Sequence, residues 1–93
     1  MSEIEDLKKR VREFAQSRNW EKFHTPKNLA MAVAGEAGEL AAEFQWLTPE
    51  ESSVLTKDQL KAVELEMADV AIYLLRLADV LGIDIAGAVK EKI

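Results

Sequence analysis

The sequence predicts an all-α fold, a helical bundle, and two observations predict it. Apolar residues recur at helical spacing through most of the 93-residue chain, and no segment alternates convincingly as a β-strand. Helix-starting signals, either Thr followed by Pro or Thr followed three residues later by Glu or Gln, punctuate this pattern. We expect a single domain over residues 1–93.

The first helix is predicted over residues 3–18. Ser2 and Glu5 have the spacing of a capping box, and apolar residues then recur at positions of one helical face. The following segment, residues 19–24, shows no clear period.

Capping residues and a glycine mark the later helices. The candidate N-caps are Thr25, Thr48, Thr56 and Asp84. Gly82 is expected to end the long helix that precedes it. The expected helices occupy about residues 26–46, a short turn from residue 49, about residues 57–81, and residues 85–93.

Composition and charge exclude several functional classes. With 12 Lys+Arg against 17 Asp+Glu and no basic stripe, the chain is not expected to bind long nucleic acids. The absence of cysteine excludes disulfides and thiolate zinc sites and suits a reducing cytosol, so we expect a cytoplasmic protein. No signal-peptide core and no apolar stretch of about 20 residues occurs, so no membrane span is expected.

The small size of the chain predicts an oligomer. A domain of this length buries only about 60 to 65% of its unfolded surface. The predicted long helix is apolar on nearly all sides, which one short chain cannot cover. We therefore expect another subunit to complete the bundle.

Carboxylates occur where a core is expected. Glu36 falls in the middle of the apolar stripe of the second helix, where an unpaired charge costs several kcal/mol to desolvate. Glu36 and Glu39 are three residues apart, and so are Glu66 and Asp69 on the long helix. If the two helices pack antiparallel, four oxygen ligands can meet.

Two explanations of these carboxylates remain open. Hard oxygen ligands without Cys or His suit Mg²⁺, or alternatively Mn²⁺. The ordinary alternative is that the carboxylates are solvated or paired with Lys and Arg. A di-iron site is disfavoured because the only histidine, His24, lies outside both helices.

Four segments of the chain resemble one known family. Together they resemble the MazG-like nucleotide pyrophosphohydrolases, and most of all the dCTP pyrophosphatase branch. The segments are residues 20–29 (WEKFHTPKNL), 35–40 (GEAGEL), 43–46 (EFQW) and 66–74 (EMADVAIYL).

The resemblance implies an all-α dimer or dimer of dimers, that is, a homodimer or homotetramer. It implies Mg²⁺-dependent cleavage of a nucleoside triphosphate, dCTP-like or modified, to the monophosphate and pyrophosphate, which would cleanse the nucleotide pool. The metal-binding and catalytic carboxylates implied by the motif are Glu36, Glu39, Glu66 and Asp69. The implied substrate-binding positions are Trp20, His24, Asn28, Trp46 and Tyr73, with Lys27 as a candidate phosphate contact.

Each substrate-binding candidate also has an ordinary structural explanation. The aromatic residues could belong to the core, His24 to an exposed loop, and Lys27 to the solvated surface. Arg76, one turn beyond Tyr73, could pair with an acidic neighbour.

The sequence departs from the family pattern at three places. Gly35 stands where the wider group often has a Glu, as in the dCTP pyrophosphatase branch. Val11 stands where that branch often has a pocket-facing His, which implies relaxed base specificity. Family members usually continue with a short tail that approaches the substrate, whereas the sequence ends at Ile93, which implies weakened activity.

Two other functions remain alternatives. A non-catalytic helical dimerisation module would use the acidic residues for partner choice or for a structural cation. A pyrophosphohydrolase acting on another nucleotide, such as phosphoribosyl-ATP, would share the bundle and the metal site. The pair Trp20 and Trp46 favours a pocket that stacks a nucleobase.

Overall fold

The computed structural model describes residues 2–93, and this part of the chain contains five α-helices, a 3₁₀ turn and no β-strand. The predicted all-α class is confirmed. The helices are α1 (Glu3–Ser17), α2 (Pro26–Ala42), α3 (Pro49–Ser52), α4 (Lys57–Leu81) and α5 (Ile85–Lys92), and the 3₁₀ turn is Glu21–Phe23.

The long helix α4 is the centre of the fold. It packs most extensively against α2 and also against α1. The buried apolar residues come from these three helices and are few: Ala15, Leu29, Val63, Leu75 and Ala78. The acidic segments of α2 and α4 are therefore held on helices that lie side by side.

The predicted caps form. Ser2 Oγ accepts a hydrogen bond from the amide of Glu5 at 3.1 Å, and Thr25 Oγ1 accepts one from Asn28 at 3.2 Å. Complete capping boxes start α3 and α4 at Thr48 and Thr56. Each cap satisfies an amide that a helix start otherwise leaves without a partner.

The predicted end of α2 at about residue 46 is wrong. The helix ends at Ala42, and residues 43–47 form turns in which Phe44 N donates to Ala41 O and Leu47 N donates to Phe44 O. The chain must change direction here because α3 begins at Pro49. Trp46 is therefore presented on a turn and not on a helical face.

A left-handed residue that the sequence analysis did not identify ends α1. Asn19 has φ 57°, a conformation in which Asn is enriched among residues other than Gly. The amide of Trp20 then donates to Ala15 O at 2.9 Å. This turn reverses the chain and carries Trp20 back toward α1.

A partly buried ionic network joins α1, α4 and the segment before α2. Asp79 accepts hydrogen bonds from Arg12 Nε at 2.8 Å and Arg12 Nη2 at 2.7 Å, and from Arg76 Nη1 at 3.0 Å. Arg76 Nε in turn donates to His24 Nδ1 at 3.2 Å. Hydrogen bonds from Arg12 are the main reason that the pKa of Asp79 lies below its usual value.

Much apolar surface remains uncovered by the chain itself. A shallow apolar groove on α4 is lined by Leu60, Val63, Met67 and Ala71, and Leu60 and Met67 are each 57% exposed. None of the helices within residues 2–93 is both long enough and apolar enough to cross a membrane.

We expect Asp79→Asn to lower the free energy of unfolding at pH 7 by about 3 kcal/mol, because it removes the charge that two arginines share. The pKa of Asp79 is lowered by folding, so its contribution is complete above about pH 4 and is lost as the pH falls further. Urea denaturation at one protein concentration from pH 7 to pH 3 measures this. A difference between the two proteins that stays constant over that range would contradict the assignment.

Candidate active site

Three carboxylates from two helices form a compact acidic group. Glu36 on α2 meets Glu66 and Asp69 on α4, and one carboxylate oxygen from each lies within 4.8 Å of the others. Both glutamates are half-buried, whereas Asp69 is exposed. The side-by-side packing of α2 and α4 therefore brings together three of the four carboxylates that the sequence singles out.

Like charges and partial burial destabilise the ionised form of this group. The pKa of Glu66 is raised, first by partial burial and then by the negative charges of Asp69 and Glu39. Glu36 and Glu43 add to the same effect. A bound cation would reverse it, because a positive charge favours ionised carboxylates.

Glu39, the fourth predicted ligand, lies outside the group. Its side chain is exposed, and its carboxylate is not among the oxygens that converge on one point. Its charge nevertheless contributes to the raised pKa of Glu66, which places it near the edge of the group.

The donor set fits a hard divalent cation. All three converging ligands offer carboxylate oxygens, the atoms that Mg²⁺ and Mn²⁺ prefer. A cation held by one or two carboxylates of Glu36, Glu66 and Asp69 would retain coordination positions for phosphate oxygens or water.

A cleft of about 480 Å³ opens beside the acidic group, between α1 and α4. Its walls are mainly apolar and include Val11, Phe14, Ile72 and Tyr73. Asp69 also lines it. The cleft and the acidic group thus share one side chain, and a molecule of suitable length can occupy both.

Aromatic side chains form one end of the cleft. Trp20 packs edge-on against Phe14, with ring centroids 5.5 Å apart and planes at 78°. The centroid of the Trp20 ring lies 6.2 Å from that of His24. Trp20 remains 41% exposed, so part of its surface is available to a planar ligand.

The His24 ring has a defined hydrogen-bonding role. Its Nδ1 accepts from Arg76, so the neutral ring carries its proton on Nε2. Burial and then the positive charge of Arg76 lower the pKa of His24. His24 is therefore a neutral donor at physiological pH.

Three of the predicted substrate-binding residues do not line the cleft. Asn28 Nδ2 donates to Phe23 O at 3.0 Å and so stabilises the turn before α2. Lys27 is exposed, and Trp46 is 87% exposed on the turn after α2. The remaining three, Trp20, His24 and Tyr73, do line it.

Nothing in the spacing of the sequence marks Arg10, Phe14 and Ile72 as the cleft residues that they are. Arg10 and Phe14 are four residues apart and so share one face of α1, but that face alone does not reveal a cleft. Arg76 forms an ion pair with Asp79, which agrees with the structural role expected from the sequence. It also lines the cleft, which the spacing does not indicate.

Comparisons with known proteins agree on a single family. The model of the MazG-like family matches residues 32–93. The chain is 42% identical over 91 residues to the human dCTP pyrophosphatase 1 and 41% identical over 91 residues to the bovine one. Each alignment covers 96% of this chain but 54% of the relative, so the chain spans about half the length of these curated relatives.

A solved structure extends the agreement to three dimensions. The crystal structure of a pyrophosphatase from Archaeoglobus fulgidus superimposes with a TM-score of 0.91 at 44% sequence identity. The superposition covers 99% of this chain and 86% of that protein. The chain belongs to the MazG-like family and lies near its dCTP pyrophosphatase branch.

Proposed function

We propose that the protein is a Mg²⁺-dependent nucleotide pyrophosphohydrolase that cleaves a dCTP-like nucleoside triphosphate to the monophosphate and pyrophosphate. One observation carries the proposal: Asp69 belongs both to the acidic group and to the wall of the aromatic cleft. The names of the relatives, dCTP pyrophosphatase 1 and a pyrophosphatase, support the same reaction.

The two parts of the site match the two parts of a nucleotide. A triphosphate needs positive charge, which a cation on Glu36, Glu66 and Asp69 would supply. A nucleobase needs a stacking surface, which Trp20 and Tyr73 offer at about 1 to 3 kcal/mol per base. A non-catalytic dimerisation module has no need of an aromatic cleft that meets an acidic group.

The proposed reaction is attack of water on the α-phosphorus. The bond from that phosphorus to the oxygen bridging the α- and β-phosphates breaks, and pyrophosphate leaves with the bonding electrons. Mg²⁺, when bound, neutralises charge on the phosphate oxygens. Glu36, Glu66 and Asp69 would hold the cation where the phosphate chain binds, and one of the glutamates would take the proton of the attacking water.

A second copy of the chain is proposed to cover the apolar groove on α4. Leu60, Met67 and Leu65 are all more than half exposed, and Trp46 is 87% exposed. Leaving this much large apolar surface in water is unfavourable for so small a domain. Pairing of two copies would bury the groove and give a homodimer, one of the two oligomers that the family resemblance implies.

The reaction is tested by incubating the protein with Mg²⁺ and each of the four dNTPs and separating the products. We expect monophosphate and pyrophosphate, with dCTP among the substrates. Nucleoside diphosphate with inorganic phosphate, or turnover of a phosphoribosyl nucleotide alone, would contradict the proposal.

The metal ligands are tested by Glu36→Gln and Asp69→Asn. Each removes one charge from the acidic group, and we expect kcat/KM to fall by roughly 100-fold or more while helical content persists. Glu91→Gln is the control, since Glu91 is exposed on α5 and lies outside both the acidic group and the groove on α4. Calorimetric Mg²⁺ titration should show weakened binding in the first two variants only. If both variants bind Mg²⁺ and turn over as the control does, these residues are not the ligands.

The oligomer is tested by Met67→Glu, which places a charge in the apolar groove of α4. We expect association to weaken roughly tenfold or more in sedimentation velocity. Lys90→Glu introduces the same residue at an exposed position of α5, outside the groove, and should leave association unchanged. A wild-type protein that sediments as a monomer at all concentrations would overturn the proposed dimer.

A further inference from the structure

Arg76 has a hydrogen-bonding capacity that the fold does not use. Its side chain is only 6% exposed, so its charge is almost entirely removed from water. Nε donates to His24 and Nη1 donates to Asp79. Nη2, with its two hydrogens, makes no hydrogen bond to any of residues 2–93. A buried guanidinium of this kind normally has all its donors satisfied.

Arg76 lines the cleft, and its unused donors are not fully buried. No fully buried side-chain nitrogen within residues 2–93 lacks a partner, so Nη2 retains access to open space. Arg76 lines the cleft together with Tyr73 and His24. The proposed nucleobase would therefore fill a space that the Arg76 side chain lines.

The polar groups at this end of the cleft are mainly hydrogen-bond donors. Arg76 can only donate, and His24 donates through Nε2 because its Nδ1 is already engaged. Arg10, a further cleft residue, can also donate hydrogen bonds but cannot accept them. Asp69, the carboxylate in the wall, belongs to the acidic group. A ligand that satisfies these donors must bring acceptors.

We propose that Arg76 is a specificity-determining residue that selects nucleobases with two adjacent hydrogen-bond acceptors on the edge entering the cleft. The inference rests on the proposed function. Cytosine offers such a pair in O2 and N3, and guanine offers one in O6 and N7. Adenine places an amino group beside N1 and N7, and thymine places N3–H between its two carbonyls. Neither presents an adjacent acceptor pair to a guanidinium.

The network around Arg76 makes this selection efficient. Asp79, itself held by Arg12 at 2.8 and 2.7 Å, fixes one side of the guanidinium, and His24 fixes another. The donors are thus oriented before a nucleotide arrives, and little rotamer entropy is lost on binding. A base that lacks acceptors would leave these donors buried without partners.

The inference is tested by kcat/KM for dCTP, dGTP, dTTP and dATP in wild type and Arg76→Met. We expect wild type to favour dCTP or dGTP over dTTP and dATP by about 10- to 100-fold. A preference for dCTP would show that the cleft selects a pyrimidine, and a preference for dGTP would show that it selects a purine. In Arg76→Met this preference should fall below about threefold.

Arg12→Met provides the matched control. It removes another partner of Asp79 but changes no side chain that lines the cleft. Both variants are expected to lower the midpoint of thermal unfolding. Because Arg12→Met keeps the donors of Arg76 and removes only a contact that helps to orient them, it should retain most of the base preference that Arg76→Met loses. If Arg76→Met lowers kcat/KM equally for all four nucleotides, Arg76 has only a structural role and the inference fails.

A substrate-side measurement on the wild-type protein does not depend on the variant folding. If cytosine is the preferred base, 3-deaza-dCTP, which lacks the N3 acceptor, should be cleaved about tenfold or more slowly than dCTP. The 2-pyrimidinone analogue, which lacks the amino group but keeps O2 and N3, should be cleaved nearly as well as dCTP. If guanine is preferred, 7-deaza-dGTP takes the place of 3-deaza-dCTP. Equal cleavage of the deaza analogue and its parent would overturn the inference.

Failure of the inference and failure of the proposed function give different results. Release of pyrophosphate from all four dNTPs at similar rates in wild type rejects base selection by Arg76 and leaves the pyrophosphohydrolase intact. No pyrophosphate from any dNTP rejects both.

Discussion

The ion pairs of Asp79 hold together the parts of the molecule that form the cleft. α1 packs less extensively on α4 than α2 does, and few apolar side chains are fully buried. Arg12 binds Asp79 through two hydrogen bonds, and Arg76 links Asp79 to His24. These contacts fix α1 and the segment before α2 against one side of α4. Because the cleft lies between these elements, its shape depends on this network.

The other side of α4 carries a different electrostatic arrangement. Asp79 is a carboxylate stabilised by two cations, whereas Glu66 is surrounded by carboxylates and half removed from water. The first arrangement stabilises the folded chain by itself. The second disfavours the ionised form of Glu66, and perturbed carboxylates of this kind are enriched at functional sites.

The sequence predicts most of the helices because their signals are local. The caps at Thr25, Thr48 and Thr56 depend on side chains within three residues of each other, and all of them form. The end of α2 is different because α3 and its cap compete with continuation of the helix. The spacing of apolar residues alone does not predict which of the two wins. Asn19 is missed for another reason: Asn is enriched in the left-handed region among residues other than Gly, but most Asn residues do not adopt it, so an Asn alone does not mark the turn.

The candidate site is predictable only where a helix face defines it. The pairs Glu36 with Glu39 and Glu66 with Asp69 stand out from spacing, and the acidic group forms from three of them. That Glu39 lies outside the group depends on how α2 is rotated against α4, which spacing does not determine. The cleft walls contributed by Arg10 and Arg76 come from helices far apart in the chain, and only tertiary packing brings them together.

The position of Asp69 in both the acidic group and the cleft wall has a thermodynamic consequence. Two ligands that bind the same side chain affect each other's affinity. The effect is reciprocal: if the nucleotide raises the affinity for the cation by some factor, the cation raises the affinity for the nucleotide by the same factor. The free chain would then hold the ion weakly, and the fully loaded site would assemble cooperatively. On the proposed function, the concentration of the free divalent cation would thereby set how much substrate the protein retains.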